Sequence, residues 1–267
     1  MTGTELDAAY AAAASLMGRF APRAGDPANV DALPGAVLCD KDWLACRVTD
    51  TVRRWDCPDD RTAGTLWWYS TSVTMTAAAP AMLLASGVAP DPDPRRATCT
   101  LTDYGYLASM RAGRLLVGGD AYARALGPAL EQVIVPLARV SGASERALWA
   151  IAADALANQA LAAGREAGRI AEAGALAVQL ADSTPMPVPR YVDLAPGPGA
   201  EGPNTAGDVT LLPAAPASEE PGGARRVVRR CSCCLIYQAS GEGKCVSCPR
   251  RRPDDRAQSL AEWLSRQ

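Results

Sequence analysis

The residues best equipped for chemistry lie near the C-terminus, in RRCSCCLIYQASGEGKCVSCPRRR. There Cys231, Cys233, Cys234, Cys245 and Cys248 place five of the chain's nine cysteines within eighteen residues. Four of them form a pattern: an adjacent pair, ten residues, then Cys245-x-x-Cys248. Thiolate is the usual ligand of structural zinc and of iron–sulfur clusters, and a C-x-x-C turn lets both of its sulfurs approach one metal site. The adjacent pair is more selective. Neighbouring side chains diverge, so bringing both sulfurs onto one tetrahedral ion strains the backbone, whereas a binuclear cluster offers two separated iron atoms. The spacing therefore argues for iron–sulfur over zinc. Cys231 leaves a second ligand set open, in which it stands with Cys233 or Cys234.

The remaining composition narrows the chemistry. The 267-residue chain contains no histidine, which removes histidine-dependent triads, Rieske-type clusters and histidine-ligated haem. The N-terminal MTGTELDAAY carries acidic residues where a secretory leader would be basic, so a cytoplasmic protein is expected. In a reducing compartment clustered cysteines are read as metal or redox groups rather than disulfides. The longest apolar stretch, Ala77 to Pro90, is interrupted by Pro80 and falls short of a membrane span. Cys39, Cys46, Cys57 and Cys99 show no metal spacing and read as small buried hydrophobes.

The elements that must position the cysteines read as mostly helical. Aromatics make up only 5% of the chain and alanine is abundant, which favours helices packed through small side chains. Leu6, Ala9, Tyr10, Ala13, Leu16 and Met17 recur at helical spacing over residues 5–20. A second helix is expected over Thr65 to Ser86, kinked or divided at Pro80, with Trp67, Trp68 and Tyr69 near its start as core or as a ligand surface. The run from Ala97 to Val117 suggests a β-hairpin turning at Ala112 and Gly113. A further helix is expected from an N-cap at Ser144, with Gly164 as its stop. A short one is expected from about Asp255, burying Leu260, Trp263 and Leu264.

Between Ser183 and Ala224 lie nine of the 21 prolines, a composition poor in buriable surface that reads as a linker or long loop. Its GPGAEG, residues 197–202, matches a dinucleotide-binding pattern literally but lacks a flanking strand and helix. Gly243-Lys244 fails as a phosphate loop because Cys245 follows and the upstream glycine is missing. No nicotinamide or flavin site is legible, so the electron donor is expected to be another protein.

The ending resembles that of FhuF-type ferric-siderophore reductases, whose signature is Cys-Cys, ten residues, Cys, two residues, Cys. Arg230, Cys233, Cys234, Leu235, Ile236, Tyr237, Gly243, Lys244, Cys245, Cys248 and Pro249 carry the likeness, and Cys231 is an addition to the family pattern. Weaker similarity lies in ERALW and the helix around Glu145 to Gly164, and in WWYSTSVTMTAAAPAMLLASG; together these stretches cover about a third of the chain. The resemblance implies a [2Fe-2S] cluster held by Cys233, Cys234, Cys245 and Cys248, and an oxidoreductase that passes single electrons to Fe(III)-siderophore complexes. It implies Fe(II) release in the cytoplasm and a donor protein such as a ferredoxin or flavoprotein reductase. Hard oxygen ligands hold the trivalent ion far better than the divalent one, so one-electron reduction weakens the chelate.

Charge fits that picture. Arg225 to Arg256 holds nine basic residues against three acidic ones, a net of plus six that leaves minus eight on the rest. Cations there would stabilise an anionic cluster, or steer an acidic donor or an anionic chelate to it. The expected fold class is thus mainly α (α+β): a helical, siderophore-reductase-like body over residues 1–182 with a small β-hairpin, a linker or long loop over 183–224, and a cysteine-rich [2Fe-2S]-binding segment over 225–267. Two alternatives remain. One is a zinc-bearing module binding nucleic acid through RRVVRR and PRRR, which the preferred reading does without. The other is a ferredoxin-like carrier serving a protein partner.

Overall fold

The computed structural model describes residues 3–21, 32–196, 209–264 and 266. Seven helices dominate: α1 (Gly3–Met17), α2 (Lys41–Trp55), α3 (Asp60–Ser86), α4 (Gly119–Ser141), α5 (Glu145–Ala167), α6 (Ile170–Asp182) and α7 (Pro253–Leu264). Eight short strands accompany them: β1 (Leu33–Pro34), β2 (Val88–Pro90), β3 (Ala97–Leu101), β4 (Leu107–Ala112), β5 (Leu115–Val117), β6 (Tyr191–Pro196), β7 (Val209–Ala214) and β8 (Arg225–Val228). The mainly α class with small antiparallel sheets is as the sequence leads one to expect. Among the described residues, no helix is long and apolar enough to cross a membrane.

The centre of the body is α3 packed along α5, with α1, α2, α4 and α6 around them. Alanine makes this close packing possible: Ala152, Ala153, Ala157, Ala160 and Ala163 of α5 are all buried. A helix face of methyl groups lets two backbones approach closely, and tight approach maximises dispersion contacts. Trp67 and Trp68 fill the larger gaps. Both are buried, and their indole N–H groups donate to Gly105 O (3.3 Å) and Leu148 O (2.8 Å). They are core residues, so a ligand surface built on them is ruled out. Tyr69, on the next position of the helix, is partly exposed.

Helix ends follow local chemistry. Asp59 accepts from Thr62 N at 2.8 Å and starts α3 five residues before the expected Thr65. Pro80 lies inside α3, which nonetheless runs unbroken to Ser86. Its missing N–H leaves the Thr76 carbonyl without an intrahelical donor, a local loss that burial on both sides offsets. α2 begins at Asp40, whose side chain accepts from Trp43 N at 2.8 Å.

Three expectations are corrected. The stop of α5 is Gly168, in the left-handed region at φ 66°, and Gly164 lies inside the helix. A Cβ on Gly164 would sit 2.5 Å from Ala173 Cβ, so this glycine serves the contact of α5 with α6 rather than a terminus. The hairpin of β3 and β4 turns at Thr102 to Gly105, where Gly105 N donates to Thr102 O at 2.9 Å. Leu115 to Val117 leaves it and pairs with Val88 to Pro90 instead. The segment 183–224, expected as a linker or long loop, contributes β6 and β7, in register from Tyr191↔Ala214 to Pro196↔Val209. The sheet order is β7-β6-β8, so Pro213 lies on an edge strand and Pro196 ends its strand, positions where a missing N–H costs little. The GPGAEG match lies outside the described residues.

This third sheet links body and cysteines. The Arg226 side chain is fully buried and forks onto the Asp193 carboxylate through Nε (2.9 Å) and Nη2 (3.0 Å), tying β8 to β6. Arg229 N then donates to Arg190 O at 2.8 Å as the chain leaves the sheet toward the cysteines.

Candidate metal centre

After β8 the chain passes through Arg230 to Cys234 without regular structure and then turns at Leu235. Leu235 stands in the left-handed region at φ 63°, one of two non-glycine residues there among the described residues. A γ-branched residue in that conformation is strained, and such strain concentrates at functional sites. The turn aims successive N–H groups inward: the Leu235 N–H serves Cys233 and the Ile236 N–H serves Cys234. A 3₁₀ turn over Ile236–Gln238 follows, and its loop is tied to the body where Ser240 N donates to Trp55 O at 3.3 Å. The second half of the motif is a tight turn in which Cys248 N donates to Cys245 O at 3.1 Å.

The four sulfurs come together as two pairs. Cys233 Sγ and Cys248 Sγ lie 3.9 Å apart. Cys234 and Cys245 share a thiol hydrogen bond, which holds Cys234 well below the usual thiol range and pushes Cys245 up. Cys233 is also raised, chiefly by burial. Two thiolates about 2.3 Å from one tetrahedral metal lie about 3.8 Å apart, so the Cys233–Cys248 separation suits two ligands of one metal atom. Among the described residues no group of three His, Cys, Asp or Glu side chains is gathered to hold a single metal ion.

Arg230 sits over this arrangement. It is buried, its Nη1 donates to Cys245 Sγ at 3.2 Å, and its guanidinium lies 5.0 Å from the centre of the Tyr69 ring. Burial works against its charge, but Tyr69, Cys245, Asp154 and Cys234 outweigh that and raise its pKa. Among the described residues its Nη2 has no hydrogen-bond partner, and its Nε faces the Asp154 carboxylate at 3.6 Å. A buried cation that donates to Cys245 Sγ and keeps one N–H group unpaired fits an anionic group there: a [2Fe-2S] core with four thiolates carries about two negative charges.

Cys231, the addition to the motif, turns the other way. The residue is exposed, yet its Sγ contacts Asp154 Oδ1 at 3.3 Å and Ala150 O at 3.7 Å, both on α5. Burial of the sulfur, and then the Asp154 charge, push its pKa up to about 12. Cys57 and Cys99 are buried and Cys39 is half-buried, as expected of small hydrophobes, whereas Cys46 is exposed.

Sequence reasoning missed Asp154. It is the single charged residue between Arg146 and Arg165, in a run of alanine and leucine that the helical pattern places in the core. A carboxylate there requires strong partners, and that was the signal available.

Residues 230–250 match the family model described as the FhuF 2Fe-2S C-terminal domain, and the cysteine cluster falls inside that match. No curated protein matches the chain. The matched segment is thus similar to a FhuF-type 2Fe-2S C-terminal domain.

Proposed function

We propose that the chain is a [2Fe-2S] protein that reduces Fe(III) held by a siderophore, with Cys233, Cys234, Cys245 and Cys248 as the cluster ligands. The supporting observation is the two-by-two pairing of these sulfurs beneath the buried Arg230, within a segment of the FhuF type. Cys233 with Cys248 would hold one iron, and Cys234 with Cys245 the other. When bound, such a cluster supplies a one-electron store.

The chain's own residues do the rest. The N–H groups of Leu235 and Ile236 and the Arg230 guanidinium donate to sulfur and so stabilise the negative charge that collects there. Tyr69, exposed beside Arg230, offers an aromatic edge at the surface of this site against which a chelate can rest. The basic residues Arg250, Arg251 and Arg252 beside Cys248 draw anionic partners to the same side. The substrate is Fe(III) in its chelate: one electron, delivered by a donor protein of the ferredoxin or flavoprotein-reductase class, turns it into Fe(II). The chelate then binds the metal more weakly and releases it in the cytoplasm.

The test is to reduce the protein under anaerobic conditions and mix it with ferric hydroxamate and ferric catecholate chelates, following the visible absorbance. Reoxidation with Fe(II) appearing in equal amount is expected for at least one chelate. No reoxidation by any of them, alongside rapid exchange with a ferredoxin, would replace the reductase with an electron carrier.

A further inference from the structure

Asp154 has unusual company. It is buried in the middle of α5, yet among the described residues every polar partner it finds outside its own helix belongs to the cysteine segment. The backbone N–H groups of Cys231 and Ser232 donate to it at 3.1 and 3.0 Å, the Ser232 hydroxyl at 2.5 Å, and Arg230 Nε lies 3.6 Å away. A buried carboxylate is costly unless it is paired and hydrogen-bonded, and here the segment alone supplies that compensation. The contact continues past Arg230, whose Nη1 donates to Cys245 Sγ at 3.2 Å. A carboxylate on the body, a guanidinium and a ligand sulfur thus follow one another, with the carboxylate and the guanidinium both buried.

We infer that Asp154 is a positioning residue that fixes the cysteine segment on α5 and, through Arg230, sets the reduction potential of the centre. This rests on the [2Fe-2S] reading above. A cation touching a ligand sulfur favours the reduced, more negative state and raises the potential. An anion behind that cation offsets it. Because both groups are buried, solvent and salt screen neither of them well.

The experiment uses the full chain purified anaerobically, with iron and sulfide counted before the potential is measured by mediated titration. The variants are D154N, R230Q, the double variant D154N/R230Q, and S232A. The expected order of potentials, highest first, is D154N, wild type, the double variant, R230Q. Each single charge change is expected to shift the equilibrium constant for reduction tenfold or more, about 60 mV for one electron. S232A, which removes a hydrogen bond but no charge, is expected to lower the melting temperature and leave the potential at the wild-type value.

If D154N coincides with wild type, or moves no further than S232A, Asp154 is structural only and the inference fails. Should D154N lose its cluster because Arg230 is left as a lone buried charge, the double variant avoids that state. Its potential must then lie above that of R230Q, and equal or inverted values would overturn the inference. A wild-type protein lacking two irons and two sulfides would instead sink the underlying reading, a result distinct from any ordering of potentials.

Discussion

The seam between α3 and α5 and the cysteine segment are held together by opposite means. Along the seam, buried alanines meet Trp68 and Leu148, and almost all specificity comes from shape. In the segment, Leu235 takes a strained conformation, Arg230 and Asp154 are buried charges, and the sulfurs gain from N–H donors. A core of the first kind is complete without any other molecule. A loop of the second kind buries little apolar surface of its own and concentrates groups that a metal cluster would stabilise. Asp154 is one place where the helical body and the cysteine segment are joined.

The largest expected effect separates the two regions outright. Replacing Cys234 or Cys245 by serine should abolish iron and sulfide loading while far-UV circular dichroism keeps the helical signal of the body. Loss of helix in step with the iron would show that the scaffold depends on the centre. Next comes the reverse change. Trp68→Ala should cost about 3–5 kcal/mol of stability in denaturant unfolding, because it removes a fully buried ring and its hydrogen bond to Leu148 O.

Gly164→Ala should destabilise by about 1–2 kcal/mol, since the added methyl would meet Ala173 across the contact with α6. That cost exceeds the gain of about 1 kcal/mol in helix propensity. A net stabilisation would mean that the two helices part easily.

The smallest effect concerns Cys231. Cys231→Ser should leave iron and sulfide counts unchanged, because that sulfur faces α5. In the native protein its thiol should resist alkylation at pH 8, with its pKa up at about 12. The sign follows from that rise: the docking of the neutral thiol on Asp154 is fully present below the ordinary thiol pKa of 9.0 and is lost as pH climbs toward about 12. Alkylation rates followed against pH by mass spectrometry would check this.

The clustering of the cysteines was legible in the sequence because its signal is local. The spacing of Cys233, Cys234, Cys245 and Cys248 is a chemical pattern within sixteen residues, and no distant packing can disguise it. The helix beginning after Ser144 was legible for a similar reason, as its apolar period is long and uninterrupted. What escaped depends on contacts between distant segments. Gly164 looks like a stop until Ala173 is known to lie against it. The prolines of 183–224 suggest a loop until the edge position of β7 shows where Pro213 is tolerated. α4 carries Pro128 and Pro136 in its interior, which obscures its period. Tyr69 could not be separated from Trp67 and Trp68 by residue type; its exposure and the placement of Arg230 over its ring distinguish it.

The central claim is that four cysteines in two pairs hold a binuclear iron–sulfur cluster. Its most direct test is the visible spectrum of anaerobically purified protein before and after dithionite, with iron and acid-labile sulfide counted on the same sample. The account predicts a reddish protein with two irons and two sulfides per chain that bleaches on reduction. A colourless protein holding one zinc ion would contradict it, and would make the basic residues around the cysteines a nucleic-acid surface to be tested next.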